Sequence, residues 1–227
     1  MNYELIKVCG MREADNIRVV DGLPVDWLGL IFWPKSSRYV AAPPAYLPTQ
    51  AKRVGVFVNS EIEDVLQHVK DYCLDAVQLH GHESPDYICA LAAHPSFRRG
   101  AGDKVRIIKA ISVNNRDDVA VYRTYNGLVD YFLFDTRATV PANNQPANAP
   151  ASLPGGSGRQ FDWKVLAAYA GETPFLLSGG IGPDDADRLR AFHHPRCIGI
   201  DLNSRFETAP GLKDANKLRE FIKKIRQ

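Results

Sequence analysis

The stretch YELIKVCGMRE, residues 3–13, runs from a short apolar segment directly into the start of a helical pattern. The apolar segment is typical of a buried β-strand, and Cys9 lies where that strand is expected to end. Gly10 follows it and has no side chain to crowd the thiol. A free cysteine is most often a small buried hydrophobe, but one at a strand exit is also placed for reaction. What surrounds that thiol depends on how many further strands end beside it.

Strand-like and helix-like segments alternate through the rest of the chain. Continuous apolar runs such as DWLGLIF are typical of parallel strands that are buried on both faces. Strands are predicted at residues 3–9, 26–32, 53–58, 76–79, 105–110, 131–134, 175–178 and 197–202. Helices are predicted at 13–22, weakly at 43–50, at 62–72, after Ser84-Pro85, and at 116–125, 183–192 and 213–226. Ser60 with Glu63, Ser84 and Asn114 are expected to cap three of them.

Eight strand–helix units in a chain of 227 residues predict an α/β protein with one (β/α)₈ TIM barrel, a single domain over residues 1–227. A doubly wound open sheet is the alternative, because it shows the same alternation. The number of units favours the barrel, as does the absence of a dinucleotide-binding glycine pattern after the first strand.

The composition argues against several classes of protein. A formal net charge of +2, from 28 basic and 26 acidic residues, gives no field for nucleic acid or a membrane surface, so neither is expected as a partner. No apolar run approaches the ~18 residues of a membrane span, and the N-terminus lacks a signal-peptide pattern. The 4 cysteines show no metal or disulfide spacing, which favours a reducing, cytoplasmic location and no metal. Monomer and homodimer both stay open.

Residues 137–154, RATVPANNQPANAPASLP, break the alternation. The segment has no acidic residue and no apolar periodicity, which is typical of a long mobile loop within one domain. In a barrel it follows the sixth strand on the active face, so it is either a lid or a surface insertion.

Two loops at the predicted barrel mouth suit a phosphate. Functional side chains of such barrels follow the C-terminal ends of strands, and phosphate commonly binds after the seventh and eighth. Gly179 and Gly180 follow the seventh predicted strand, and Asn203 and Ser204 follow the eighth. Glycines let backbone N–H groups approach an anion, and a helix start adds a favourable dipole. A glycine pair alone would indicate only a tight turn, but two loops in these places favour a small phosphorylated ligand.

Cys9 ends the first predicted strand and Asp135 directly follows the sixth, so the two are expected across the barrel mouth from each other. A thiolate takes up a proton as well as attacking, and a carboxyl group on the other side of a ligand supplies one. Core packing for Cys9 and a helix cap or ion pair for Asp135 are the structural alternatives. Lys7 lies two residues before Cys9, on the same face of the strand, and is a candidate cation for keeping the thiol ionised.

Arg38 follows the second predicted strand and is a candidate clamp for a ligand carboxylate, because a guanidinium donates two parallel hydrogen bonds. A solvated surface arginine is the alternative. His80 and His82 have no third ligand at metal spacing, so a polar loop is expected there. The lysines and arginines at 213–226 are expected on a solvated helix face. Structural burial is expected for the remaining cysteines, Cys73, Cys89 and Cys197.

The chain resembles a known family through short blocks that occur in a fixed order. They are KVCG (7–10), GLIF (29–32), SRYV (37–40), VGVFVN (54–59), VQLHG (77–81), FDT (134–136), GSG (156–158) with FDW (161–163), SGGI (178–181) and PGLK (210–213). Each block alone is weak, but the ordered set spans nearly the whole chain. It resembles phosphoribosylanthranilate isomerase, a (β/α)₈ enzyme of tryptophan biosynthesis.

The resemblance implies conversion of N-(5-phosphoribosyl)anthranilate to 1-(2-carboxyphenylamino)-1-deoxyribulose 5-phosphate, an Amadori rearrangement without cofactor or metal. It implies that Asp135 is the general acid, which protonates the ribose ring oxygen. Cys9 is then the general base, which removes the C2′ proton, and Arg38 holds the anthranilate carboxylate. The phosphate is held by the two loops after the last two strands, through Gly179, Gly180, Asn203 and Ser204.

One departure from the family concerns the turn after the eighth strand. The family commonly has Ser-Ser-Gly there, whereas this chain has Asn203-Ser204-Arg205, and Arg205 would be strained if its position requires a positive φ. A rearranged cradle, with Arg205 near the phosphate, is the alternative.

Two rival functions stay open. A phosphosugar isomerase, or a dual-substrate relative that also acts on the histidine-pathway aminoaldose, shares the fold, but that relative is expected to use a carboxylate where this chain has Cys9. The other rival is a barrel that only binds a phosphorylated ligand or a protein partner. The presence of both Cys9 and Asp135 argues against it.

Overall fold

The computed structural model describes residues 3–99, 103–136, 138–139, 152–153 and 161–226. Eight parallel strands close into a barrel, which confirms the predicted fold class. The strands are β1 (Leu5–Met11), β2 (Trp27–Ile31), β3 (Lys52–Phe57), β4 (Ala76–Leu79), β5 (Arg106–Val113), β6 (Tyr131–Thr136), β7 (Phe175–Leu177) and β8 (Cys197–Leu202). Because β1 pairs with both β2 and β8, the first strand closes the barrel against the last.

Helices and short hairpins surround the barrel. The α-helices are α1 (Ala14–Asp21), α2 (Ile62–Tyr72), α3 (Pro85–Ala93), α4 (Arg116–Ala120), α5 (Ala186–Ala191) and α6 (Ala215–Ile225). The 3₁₀-helices among the described residues are Val121–Tyr125, Trp163–Ala168, Pro183–Asp185 and Ser204–Phe206. Short antiparallel pairs join Arg98–Arg99 to Asp103–Lys104, Ala138–Thr139 to Ser152–Leu153, and Glu207–Ala209 to Leu212–Lys213.

The apolar residues form an inner and an outer core. The inner core fills the barrel with the side chains of Leu5, Trp27, Val54, Ala76, Ile108, Ala110, Leu133 and Leu176. The outer core lies between the strands and the helices, and α6 contributes the four predicted residues, Leu218, Phe221, Ile222 and Ile225. Full burial of each such side chain contributes about 1.5–3 kcal/mol. The amphipathic face of α6 therefore fixes the helix against the barrel.

The helix predicted at 43–50 is wrong, because the described chain there forms bends and irregular structure. Pro48 stands in its predicted interior, where a proline removes an N–H donor and clashes with the preceding turn. The carboxylate of Asp21 at the end of α1 accepts the N–H groups of Thr49 and Ala51, each at 2.8 Å. These bonds hold an irregular segment ahead of β3, so the second barrel unit has no α-helix.

The predicted helix caps have mixed outcomes. The cap at Ser84 is confirmed, since its hydroxyl accepts the N–H of Tyr87 at 3.1 Å. Asn115, not Asn114, caps α4. The capping box from Ser60 is wrong, because α2 begins at Ile62 as predicted but its N-cap residue is Glu61, and no side chain caps it.

Most of the predicted loop 137–154 lies outside the described residues, and so does its proposed role as a lid. The described parts, Ala138–Thr139 and Ser152–Leu153, pair with each other as two antiparallel strands. In the described ranges of the chain, no helix combines the length and the apolar character that a bilayer crossing requires.

Candidate active site

A cleft opens at the C-terminal ends of the barrel strands. All seven residues predicted for the site line it, namely Cys9, Arg38, Asp135, Gly179, Gly180, Asn203 and Ser204. Other lining side chains lie at strand ends without a predicted role, among them Gln78, Ser178 and Asp201, and His80 lines it as well. The structure therefore brings the predicted residues together from separate strands and loops.

The polar cleft forms the layer directly above the apolar inner core. Leu133 belongs to that core, and Asp135 lines the cleft two residues later. Ala76 and Gln78 stand in the same relation on β4. Successive side chains on a strand point to opposite faces, so positions two apart share a face. Leu5, three strands away from Leu133 in the barrel order, belongs to the same inner core and starts the series of alternate residues that ends at Cys9.

Cys9 lies at a β-bulge. It pairs with Gly29 while Met11 pairs with Leu30, so Gly10 is the extra residue, and its φ is +76°. This backbone conformation favours glycine, and bulges beside active sites re-aim the neighbouring side chain. A Cβ on Gly29 would lie 2.8 Å from Cys9 Sγ. The glycine on β2 therefore leaves the space that the thiol occupies.

A buried ion pair lies beside the thiol. Lys7 Nζ is 2.9 Å from Asp201 Oδ1, and Lys7 is fully buried. Burial raises the pKa of Cys9 more than the Lys7 charge lowers it, so the net pKa is raised. Burial lowers the pKa of Lys7, but the charges of Asp201 and Cys9 together raise it more, which keeps the ammonium group charged. Lys7 thus favours the thiolate, as the sequence predicts, but burial of the thiol outweighs it.

Replacing the ion pair by neutral residues, Lys7→Met together with Asp201→Asn, is expected to raise the pKa of Cys9 further. Lys7 lowers that pKa more than Asp201 raises it. Removing both partners avoids an unpaired buried charge, which costs about 3–5 kcal/mol. The pH dependence of Cys9 alkylation measures the shift in a background where the exposed Cys73 and Cys89 are serine. An unchanged pKa of Cys9 in the double variant would show that Lys7 does not help to ionise the thiol.

Asp135 is held by its neighbours at the end of β6. Its Oδ1 accepts the N–H of Thr136 at 2.8 Å, and its Oδ2 lies 3.4 Å from His80 Nε2. The amide nitrogen of Gln78 lies 3.0 Å from His80 Nδ1. Because an amide nitrogen only donates, Nδ1 accepts, and a neutral ring carries its proton on Nε2 beside Asp135. A Cβ on Gly179 would lie 3.0 Å from Asp135 Oδ1, so a glycine is needed for the loop to pass this close.

Arg38 reaches the cleft from the loop after β2, and two of its nitrogens are already paired. Nε and Nη2 donate to the carboxylate of Glu207 at 2.8 and 2.6 Å. The Arg38 side chain is only 12% exposed, which excludes a solvated surface arginine. A Cβ on Gly10 would lie 2.6 Å from Arg38 Cδ, so the bulge also makes room for the arginine.

The loops after β7 and β8 both line the cleft. Gly179 and Gly180 have φ values of +90° and +65°, a region that favours glycine. Asn203 and Ser204 line the cleft from the loop after β8. Backbone N–H groups and short polar side chains are suitable donors for a phosphate.

Arg205 takes a backbone conformation without the strain considered from the sequence. It lies in the 3₁₀-helix Ser204–Phe206, and the non-glycine residues with positive φ in the described ranges are Asn59 and Cys73. A Cβ on Gly182 would lie 3.4 Å from Arg205 Nε. The arginine therefore lies against the loop that follows β7, in agreement with a rearranged turn.

Two predictions about single residues are wrong. Lys213 does not lie on a solvated helix face, because it precedes α6 and its side chain is fully buried. Its place directly before the helix cap Asp214 was the available signal. Cys73 and Cys89 are exposed, and only Cys197 of the three predicted structural cysteines is buried. Cys73 ends α2 in the left-handed conformation, with a φ of 48°, outside the helical packing that the prediction assumed.

Comparisons with known proteins cover nearly the whole chain. A family model for N-(5'phosphoribosyl)anthranilate (PRA) isomerase matches residues 6–224. The N-(5'-phosphoribosyl)anthranilate isomerase of Parabacteroides distasonis is 46% identical over 227 residues, covering 97% of this chain and 93% of that protein. The enzyme of the same name from Phocaeicola vulgatus is 44% identical over 223 residues, covering 98% of each chain.

Solved structures give the same picture. Phosphoribosyl anthranilate isomerase from Thermotoga maritima matches with a TM-score of 0.73 at 28% identity, over 98% of both chains. A phosphoribosyl anthranilate isomerase in complex with reduced 1-(o-carboxyphenylamino)-1-deoxyribulose 5-phosphate matches with a TM-score of 0.71 at 26% identity, again over 98% of both chains.

Proposed function

The chain belongs to the N-(5'-phosphoribosyl)anthranilate isomerase family, and from that premise we propose how its cleft carries out the reaction. It converts N-(5-phosphoribosyl)anthranilate to 1-(2-carboxyphenylamino)-1-deoxyribulose 5-phosphate in L-tryptophan biosynthesis, by an Amadori rearrangement. One observation carries the assignment of roles: Cys9 and Asp135 line one cleft together with Arg38 and the loops after β7 and β8. The substrate has a carboxylate, a sugar and a phosphate, and this cleft has a partner for each.

Ring opening is the first step and is assigned to Asp135. The carboxylic acid gives its proton to the ribose ring oxygen while the bond from that oxygen to C1′ breaks. The lone pair of the anthranilate nitrogen forms the C1′=N bond of a protonated Schiff base. His80 lies 3.4 Å from the same carboxyl group, where its N–H stabilises the carboxylate that this step leaves behind.

Proton removal from C2′ is the second step and is assigned to Cys9. The thiolate takes the C2′ proton, and the electron pair of that C–H bond forms the C1′=C2′ bond of an enolamine. The positive charge on the nitrogen is thereby neutralised. Tautomerisation of the enolamine moves a proton to C1′ and leaves a ketone at C2′. Oxidation at C2′ balances reduction at C1′, so this internal transfer consumes no external oxidant or reductant.

The two ends of the substrate are assigned to separate anion sites. Arg38 holds the anthranilate carboxylate, since a guanidinium donor matches a carboxylate acceptor. The phosphate is held after β7 and β8, by Gly179, Gly180, Asn203 and Ser204. Binding at both ends fixes the ribose between Cys9 and Asp135, and such positioning is itself a large part of catalysis.

Arg38→Ala is expected to raise KM by roughly 10- to 150-fold with a much smaller change in kcat. A hydrogen bond to a charged group is worth about 1.5–3 kcal/mol, and the carboxylate is bound in both ground and transition states. Steady-state kinetics with substrate made in situ, followed by its fluorescence, measure both constants. Arg38→Lys keeps the charge but not the paired donors, so its KM should fall between those of the wild type and Arg38→Ala. An unchanged KM for Arg38→Ala would refute the carboxylate role.

The same assay tests the two rivals. A folded protein that leaves phosphoribosylanthranilate fluorescence unchanged would favour a barrel that only binds phosphorylated ligands. Turnover of the histidine-pathway aminoaldose alongside it would indicate a dual-substrate enzyme. We expect activity on the first substrate alone, because the base on β1 is Cys9.

The cellular location and the binding partners are proposed from the cysteines and the net charge. A cytoplasmic enzyme fits four free cysteines, two of them exposed. A net charge of +2 fits a small phosphorylated substrate and no nucleic-acid partner. Monomer and homodimer both remain compatible with the chain, and sedimentation equilibrium distinguishes them. Detection of stable binding to duplex DNA at physiological salt would contradict the partner assignment.

A further inference from the structure

Lys213 is a buried cation that the proposed reaction does not use. It lies on the second strand of the hairpin after β8, with its side chain fully buried. Its backbone is fixed as well, because Asn16 of α1 accepts from its N–H and donates to its carbonyl, each at 2.8 Å. A lysine held this firmly has a defined direction for its ammonium group.

The ammonium group of Lys213 orients Asn203. Lys213 Nζ lies 2.8 Å from Asn203 Oδ1. An ammonium group donates and never accepts, so the amide must present its oxygen to the lysine. The amide nitrogen, with its two N–H donors, is then on the opposite side of the group. Asn203 lines the cleft, and an anion there needs donors rather than the carbonyl oxygen.

Lys213 also orients Arg38, through Glu207. Lys213 Nζ lies 2.5 Å from Glu207 Oε1, and the same carboxylate accepts from Arg38 Nε and Nη2. The N–H of Gly211 adds a bond to Glu207 at 3.1 Å. Burial raises the pKa of Glu207, but the hydrogen bond from Arg38 and the charge of Lys213 lower it more, so the group stays a carboxylate. With these donors engaged, the guanidinium plane cannot rotate away from the cleft.

We propose that Lys213 is a positioning residue that sets both anion sites at once: Asn203 directly for the phosphate, and Arg38 through Glu207 for the carboxylate. The inference rests on the proposed function of those two side chains. It predicts that a single buried charge, which touches neither end of the substrate, controls the binding of both ends.

Lys213→Met tests the proposal without stranding a charge, because Glu207 keeps Arg38 as its partner. Inorganic phosphate and anthranilate, used as separate competitive inhibitors, report the two sites. We expect both inhibition constants to rise by about fivefold or more, with KM following and kcat changing much less. Lys217→Met is the matched control, since this lysine of α6 is 39% exposed and pairs only with Asp214 in the described chain. It should change neither constant.

A double-variant cycle separates positioning from general damage. In a background of Arg38→Ala with Glu207→Gln, which leaves no buried carboxylate unpaired, Lys213→Met should still weaken phosphate but should no longer weaken anthranilate. The proposal would be overturned if the losses of anthranilate binding from the Arg38 and Lys213 substitutions were additive. It would also be overturned if Lys213→Met alone weakened binding of only one of the two inhibitors. If Arg38→Ala alone leaves anthranilate binding unchanged, the proposed function of Arg38 fails instead. Should Lys213→Met not fold, Lys213→Arg keeps the cation, and it must then retain both inhibition constants within about threefold for the proposal to stand.

Discussion

Cys9→Ala is expected to lower kcat by at least 10²- to 10⁴-fold, the usual contribution of a positioned proton-transfer group. Among the residues that line the described cleft, only Cys9 carries a thiol, and it is the residue of β1 that pairs with Gly29 of β2. The substitution removes one sulfur atom from a small buried side chain, so the barrel should still fold. Loss of phosphoribosylanthranilate fluorescence gives the rate, and far-ultraviolet circular dichroism checks the fold.

Two further variants sharpen the Cys9 result. Cys9→Ser keeps the shape of the side chain but replaces the thiol by a far weaker acid, so it should be nearly as inactive as Cys9→Ala. Cys197→Ala removes another buried cysteine, on β8 but outside the residues that line the cleft, and should keep full activity. Near wild-type turnover by either Cys9 variant would show that another group takes the C2′ proton.

Asp135→Asn is expected to lose turnover on the same scale, about 10²- to 10⁴-fold in kcat, with a small effect on KM. An asparagine at this position can still accept the N–H of Thr136, which Oδ1 accepts now at 2.8 Å. What it lacks is an acidic proton for the ribose ring oxygen. Steady-state kinetics separate the two constants.

Asp130→Asn provides the matched control for Asp135. Asp130 directly precedes β6 and pairs with Arg106 at 2.8 Å, at the opposite end of the strand from the cleft. Its substitution should cost stability and leave kcat unchanged. Equal losses in both variants would mean that the effect of Asp135→Asn is structural, and the general-acid role would then be withdrawn.

The barrel could be predicted because its strands are local features. The run WLGLIF, residues 27–32, is apolar throughout, and a short run of that length is typical of a strand buried on both faces. The segment after β2 could not be predicted, because distant contacts determine it. The bonds from Asp21 to Thr49 and Ala51 cross about thirty residues and override the weak local helix pattern.

The location of the candidate site could be predicted for the same geometric reason. Parallel strands of a barrel all end at one face, so Cys9, Asp135 and the loop glycines had to meet there. The residues that support them could not be found in this way. Glu207 and Lys213 act through contacts with Arg38 and Asn203 that no spacing in the sequence shows. The raised pKa of Cys9 likewise depends on burial, which only the folded chain defines.

The ion pair between Lys7 and Asp201 links the order of synthesis to the onset of activity. Its partners are 194 residues apart, on the first and last barrel strands. A growing chain therefore exposes Cys9 almost at once, but it completes the charged surroundings of the thiol only when β8 has been made and has paired with β1. Contacts of such long range form late in folding. Recovery of isomerase activity during refolding should therefore coincide with closure of the barrel. Chains that end before β8 should carry a Cys9 thiol that does not catalyse the reaction.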